Sequence, residues 1–103
     1  MNTETMAMTI IAYSGDARTL AFRALEEARN GNYEEAKSLL EQSNEAAIQA
    51  HKAQTELLTA EANGEKFDIN VLLIHSQDHL MTSILAQELI KEIIELHKIK
   101  ADR

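Results

Sequence analysis

The chain of 103 residues contains no cysteine, no proline and no tryptophan, and it has only three glycines. Without cysteine there is no disulfide, no thiolate nucleophile and no cysteine-ligated metal. The lack of proline and the shortage of glycine leave long segments without a helix breaker, and the abundant residue types are good helix formers. We therefore predict an all-α protein, and the length suits a single domain over residues 1–103.

Positive charge is also scarce. Ten Lys and Arg stand against 17 Asp and Glu, which gives a formal net charge of −7 at pH 7. Nucleic acids and anionic membrane surfaces select clusters of basic residues, so the charge argues against both as partners. Charged residues interrupt every apolar run before membrane-spanning length, and the first residues lack the features of a signal peptide. We expect a cytoplasmic protein that does not insert into membranes.

Two glycine-containing segments divide the chain into three helices. Gly31 and Gly64 can each adopt the left-handed conformation that ends a helix. Asn32 suits the N-cap of the second helix, and either Asp68 or Asn70 suits that of the third. The three helices are expected at about residues 5–29, 33–62 and 69–100.

The third helix is apolar on two opposite sides. With about 100° of rotation per residue, the first stripe holds Leu73, Leu80, Ile84 and Ile94, and the second holds Val71, Leu85, Leu89 and Leu96. Two neighbouring helices can cover one stripe, so the second favours contact with further copies of the protein. The alternative is a monomer in which the third helix is central and the most buried.

Three polar side chains, His75, Asp78 and His79, interrupt the apolar segment 71–82. Residues three and four apart are neighbours on a helix, so the three side chains lie close together. An unpaired charge is costly among apolar groups. The segment therefore indicates a metal, a partner subunit or chemistry on a histidine.

His75 suits a nucleophile that accepts and passes on a group, because neutral imidazole is nucleophilic. The alternative is a hydrogen-bonded interior histidine.

Asp78 lies in the second apolar stripe. In a symmetric seam its copies would meet, and a hard cation or shared protons would relieve their repulsion. Alternatively, Asp78 only specifies register and subunit number, as a buried polar residue does in coiled coils. A mononuclear metal site on His75, Asp78 and His79 is a further alternative. His51 and His97 fall on polar or terminal surfaces.

The segment from His75 to Thr82 resembles the enzyme IIA component of the lactose/cellobiose (and diacetylchitobiose) class of the bacterial phosphoenolpyruvate-dependent sugar phosphotransferase system. The similarity covers nearly the whole chain, including segments 14–18, 31–36, 39–44 and 85–96. The resemblance implies an antiparallel three-helix bundle that assembles as a homotrimer.

The resemblance also implies roles for individual residues. His75 matches the histidine that accepts a phosphoryl group from phospho-HPr and passes it to the cysteine of enzyme IIB, which serves the membrane IIC permease. Asp78 matches an aspartate that three subunits share around one divalent cation, expected to be Mg²⁺. His79 matches a neighbouring position with a supporting role. Gln77 and His79 are candidate donors to the charged phosphoryl group.

Two alternatives come from other functional classes. One is a metal-stabilised structural or adaptor bundle without covalent chemistry, and the other is a small metal-dependent hydrolase. The sequence has no His-Glu-x-x-His, Walker A or Gly-x-Ser-x-Gly motif, which disfavours hydrolase classes that depend on them. The sequence does not predict which sugar is transported, because the membrane component determines the sugar specificity.

Overall fold

The computed structural model describes residues 2–103, and they form three helices connected by short turns. Helix α1 spans Thr3–Arg29, α2 spans Tyr33–Ala62 and α3 spans Val71–Ala101, with no strand in the described residues. The long helices lie side by side, so the molecule measures 55 × 20 × 18 Å. This confirms the all-α three-helix bundle. None of the helices within residues 2–103 is long and apolar enough to cross a bilayer.

Both predicted glycine turns are present. Gly31 has φ of 81° and Gly64 has φ of 95°, a region that glycine enters without steric cost. Asn70 caps α3, because its Oδ1 accepts a hydrogen bond of 2.9 Å from the backbone N–H of Leu73. The start of α3 is thereby fixed a few residues before His75.

The predicted N-cap position of Asn32 is confirmed. Asn32 does occupy the N-cap position of α2, but its side chain makes no capping hydrogen bond. Its Nδ2 donates instead to Glu27 Oε2 at 2.8 Å. This charge-assisted bond holds the amide toward the end of α1, and Oδ1 makes no capping bond.

Helix α1 is the central element: it packs along both other helices, which contact each other little. Its buried face consists mainly of small residues, namely Ala7, Ile10, Ser14, Ala17, Ala21, Ala24 and Ala28. Small side chains allow the helix axes to approach closely. Leu58 of α2 is 54% exposed, on the rim of an open groove that Phe67 and Ile74 also line.

The rest of the bundle covers only one of the two apolar stripes of α3. Leu80 and Ile94 are buried, whereas Val71 is 82% exposed and Leu85 is 54% exposed. We call the exposed stripe and the apolar residues beside it the uncovered face; it consists of Val71, Ile74, Met81, Leu85, Leu89, Ile93 and Leu96. The monomer alternative with a central, most buried third helix was therefore wrong. A contiguous exposed apolar surface of this kind marks an interaction site.

Candidate functional site

His75 and His79 lie one turn apart near the start of α3. Their ring centroids are 5.5 Å apart and the ring planes are inclined by 31°. The side chain of His75 is exposed, whereas that of His79 is half-buried. His75 is therefore the ring that a partner protein can reach, and His79 is a neighbour held by the bundle.

Helix α1 forms the wall behind His79. A Cβ atom added at Gly15 would lie only 3.3 Å from His79 Nε2, which is tighter than ordinary van der Waals contact. The absence of a side chain at Gly15 thus lets the imidazole lie directly against α1. An isolated glycine inside a helix costs about 1 kcal/mol relative to alanine, and at Gly15 the missing Cβ leaves room for His79.

The pKa of His79 is lowered from its ordinary value of 6.5. Partial burial is the main cause, followed by the positive charges of Arg18 and His75, while the carboxylate of Asp78 acts in the opposite direction. All three lowering causes disfavour a protonated ring. His79 is therefore more often neutral than a free histidine at the same pH.

Asp78 is exposed on the same side of α3 as the uncovered face. Carboxylate oxygens suit a hard cation such as Mg²⁺. However, the part of the chain that the structure describes contains no group of three or more His, Asp or Glu that could hold a metal. The mononuclear site on His75, Asp78 and His79 was therefore wrong. One chain contributes one carboxylate here, so a cation site fits only where copies of Asp78 converge.

Gln77 points away from His75, since residues two apart do not share a helix face. Its side-chain amide exchanges two hydrogen bonds with that of Gln54 on α2, at 2.6 and 2.8 Å. Within one chain, the structure brings together His75 and His79 but not Gln77.

Arg18 and Gly15 belong to the site and were not assigned to it from the sequence. Both come from α1, whose rotation relative to α3 no local pattern specifies. The sequence feature that could have indicated this part of the site is the isolated Gly15 in the middle of a strongly helical segment.

Comparisons with known proteins show which proteins this chain resembles. The family described as "PTS system, Lactose/Cellobiose specific IIA subunit" matches residues 5–98. The chain is 48% identical over 99 residues to the N,N'-diacetylchitobiose-specific EIIA component of Escherichia coli K12, covering 95% of this chain and 85% of that protein. It is 45% identical over 93 residues to the lactose-specific EIIA component of Staphylococcus epidermidis, covering 90% and 89%.

Solved structures show the same fold. The cellobiose-specific enzyme IIA of Bacillus anthracis superimposes with a TM-score of 0.96 at 43% identity, covering 100% of this chain and 94% of that one. The IIA(Chitobiose) protein in its solution complex with HPr, from the N,N'-diacetylchitobiose branch of the Escherichia coli phosphotransferase system, has a TM-score of 0.82 at 41% identity, covering 98% of each chain. The chain therefore belongs to the lactose/cellobiose-specific IIA family of the sugar phosphotransferase system.

Proposed function

We propose that His75 accepts a phosphoryl group from phospho-HPr and passes it to the cysteine of enzyme IIB, for the uptake and phosphorylation of a disaccharide through the IIC permease. Family membership makes the chain a phosphotransferase-system component of sugar transport and supports the general reaction, phosphoryl transfer between proteins. The observation that carries the proposal is the exposed His75 ring beside a half-buried His79. The HPr partner is supported by the similar IIA protein that was solved as a complex with HPr. The proposed site of action is the bacterial cytoplasm.

The exposure of His75 fits a two-step carrier. In the first step a lone pair of a neutral ring nitrogen attacks phosphorus in line, a new N–P bond forms, and the bond from phosphorus to its donor breaks. In the second step the cysteine thiolate of enzyme IIB attacks the same phosphorus and His75 leaves as a neutral ring. Both partners must reach one atom in turn, which requires an open position rather than a closed pocket.

The proposed assembly is a homotrimer with the uncovered face of α3 turned inward. Its apolar side chains would then leave water, which contributes about 25 cal/mol per Å² of apolar surface buried. Three copies of Asp78 would converge, and one divalent cation, expected to be Mg²⁺, would neutralise their mutual repulsion. His79 is proposed to support the phosphoryl group on His75, and Gln77 to hold α3 against α2 beside the site through Gln54.

Phosphorylation from phosphoenolpyruvate tests the proposal directly. Enzyme I, HPr and phosphoenolpyruvate should add one acid-labile phosphoryl group to the wild-type chain, seen by intact mass. His75→Gln should keep the trimer and accept none, and His79→Gln should accept it more slowly. His51→Gln and His97→Gln are the matched controls and should behave as wild type.

Two results would contradict the proposal. Phosphorylation of His75→Gln together with its loss in His79→Gln would reverse the assignment of the nucleophile. A trimeric, metal-containing wild type that accepts no phosphoryl group would favour a structural or adaptor bundle.

A further inference from the structure

We propose that Asn63 is a site of spontaneous covalent modification in the folded protein. Its side-chain amide converts to aspartate and isoaspartate through reaction with the backbone nitrogen of Gly64, whereas the corresponding pair Asn30–Gly31 is protected by its turn. This modification concerns the chemical ageing of the chain and does not depend on the proposed function.

Two of the three glycines directly follow an asparagine, at Asn30–Gly31 and Asn63–Gly64. A glycine has no side chain, so nothing shields its backbone nitrogen from the asparagine side chain before it. Asparagine is one of the thermolabile residues of proteins. Both pairs are exposed in turns between helices, so water reaches each of them. The two dipeptides are therefore chemically equal, and only the fold can separate their reactivity.

The reaction needs only water. A solvent base removes the proton of the Gly64 nitrogen, and the nitrogen lone pair attacks Cγ of Asn63. An N–Cγ bond forms, the Cγ–Nδ2 bond breaks, and Nδ2 takes up a proton from water and leaves as ammonia. Water then opens the five-membered imide. Attack at Cγ yields aspartate, and attack at the backbone carbonyl yields isoaspartate, whose main chain runs through the former side chain. No group is oxidised or reduced.

A closed turn prevents this attack at both pairs. The backbone angle ψ is 4° at Asn30 and 7° at Asn63, which turns the following nitrogen away from the asparagine side chain. The N–H of each of the two glycines also donates to the carbonyl three residues earlier, at 3.0 Å. Reaction therefore requires local opening of the turn, and its rate follows the population of the open form.

The first turn is held closed from both sides. Asn32 Nδ2 donates to Glu27 Oε2 at 2.8 Å, a charge-assisted bond that joins the two ends of the turn. Ala28 before the turn and Ala36 after it are buried in the same core cluster. Opening around Asn30 therefore breaks this bond and disturbs packed residues on both sides.

The second turn leads into a weakly packed segment. Ala60 is buried before the turn, but the next buried residue along the chain is Ser76. The connector 65–70 has no helix or strand, and Phe67 is its one residue that is not fully exposed. A segment with few buried contacts opens at a low free energy. The turn at Asn63 is therefore the one that reaches the reactive conformation more often.

Conversion should loosen the end of α2. A helix C-terminus carries partial negative charge, and α2 has no basic residue in its last turn, so a new carboxylate there is unfavourable. Isoaspartate also lengthens the main chain, which displaces the N–H of Gly64 from the carbonyl of Glu61. The modified chain should therefore have a lower thermal midpoint than the unmodified chain.

The experiment follows the folded wild-type protein at mildly alkaline pH, where a larger fraction of the backbone nitrogen is deprotonated. Peptide mapping by mass spectrometry measures aspartate and isoaspartate at each asparagine over time, and the same measurement in denaturant gives the rates without the fold. Asn44 is the internal control, because it precedes Glu45 rather than a glycine. Amide hydrogen exchange of Gly31 and Gly64, measured by NMR, reports the opening of each turn without any reaction at asparagine.

We expect the two pairs to convert equally in denaturant. In the folded protein Asn63 should convert about three- to tenfold faster than Asn30, the ratio that one additional hydrogen bond gives. The N–H of Gly64 should exchange faster than that of Gly31 by a similar factor, because the same opening exposes it. Conversion at Asn44 should be slower than at either pair in denaturant.

Two variants test the cause. Asn32→Ser is too short to reach Glu27, so it should speed conversion at Asn30 and leave Asn63 unchanged. Asn63→Gln should convert far more slowly, because the longer side chain has to close a six-membered ring. After ageing, Asn63→Gln should keep the thermal midpoint that aged wild type loses.

Equal conversion of the two pairs in the folded protein, or faster conversion at Asn30, would overturn the inference. An unchanged rate at Asn30 in Asn32→Ser would show that the bond to Glu27 does not protect the first turn. The comparison within the wild-type chain needs no substitution, so it decides even where a variant fails to fold.

Discussion

The side-chain amides of Gln54 and Gln77 form a reciprocal pair across the groove between α2 and α3. Gln54 Nε2 donates to Gln77 Oε1 at 2.6 Å, and Gln77 Nε2 donates to Gln54 Oε1 at 2.8 Å. Helices α2 and α3 otherwise contact each other little. The pair therefore joins them at the level of the histidines.

Removing one member of this pair should lower the free energy of unfolding by about 1–3 kcal/mol, because the remaining amide is left partly buried without its partner. Chemical denaturation of Gln77→Ala, Gln54→Ala and the double variant gives the coupling energy, expected to be about 0.5–3 kcal/mol. Gln49→Ala, at an exposed position of α2, is the control and should change stability little. Strictly additive effects of the two substitutions would show that the pair does not stabilise the bundle.

A charge on the uncovered face should dissociate the assembly. In Leu85→Lys a charged side chain replaces an apolar one at the proposed subunit contact, so light scattering should give a mass near that of one chain, whereas wild type should give about three times as much. Ile48→Lys is a matched control, because Ile48 is also 54% exposed but lies on α2, away from the uncovered face. A monomeric wild type, or equal dissociation by both variants, would contradict the proposed interface.

Asp78→Leu should preserve or strengthen the trimer while removing its cation. An apolar replacement of converging buried charges is often neutral or stabilising by roughly 1–4 kcal/mol. Elemental analysis of purified protein should find a divalent cation in wild type and none in this variant. Asp68→Leu, in the exposed connector before α3, is the control. Metal retained in Asp78→Leu would mean that another group binds it.

Gly15→Ala should separate stability from activity. Alanine favours helix by about 1 kcal/mol over glycine, but its Cβ would press on His79 Nε2 from 3.3 Å. We expect phosphoryl transfer to slow through displacement of His79, with the thermal midpoint unchanged or raised. Thr19→Ala, an exposed helix position, should leave transfer unchanged. Full activity in Gly15→Ala would show that the position of His79 is unimportant for transfer.

The titration of His79 should respond to Arg18. Partial burial and, after it, the positive charges of Arg18 and His75 disfavour the imidazolium, so the pKa of His79 is lowered from its ordinary value of 6.5. Arg18→Gln removes one of the lowering causes, and the pKa should therefore rise toward 6.5. Proton NMR of the ring, recorded with a chelator, measures it, and Arg23→Gln should leave it unchanged. A pKa that falls or stays constant in Arg18→Gln would place the guanidinium away from His79.

The helix boundaries were predictable because they depend on local chemistry. Gly31 and Gly64 interrupt an otherwise unbroken run of helix formers, and each observed helix end lies within two residues of its predicted place. The uncovered face was predictable for a similar reason: helical periodicity alone shows that α3 has more apolar surface than two neighbours can cover.

The contacts between helices were not predictable from local patterns. The approach of Gly15 to His79 depends on how α1 is rotated against α3, which the whole core determines. Serine at core positions was a second difficulty, because hydropathy does not mark Ser14 and Ser83 as buried, yet both are. Helical spacing places Gln77 off the face of His75, but only the structure shows that it turns toward α2.

In the proposed trimer, the uncovered face of α3 also makes the stability of the protein depend on its concentration. If only folded chains associate, mass action adds to the folded state a free energy that grows with the logarithm of protein concentration. A dilute preparation should therefore melt earlier than a concentrated one, and freshly synthesised chains are most vulnerable to proteolysis before they meet. Expression level and resistance to degradation would thus rise together, without any change in the sequence.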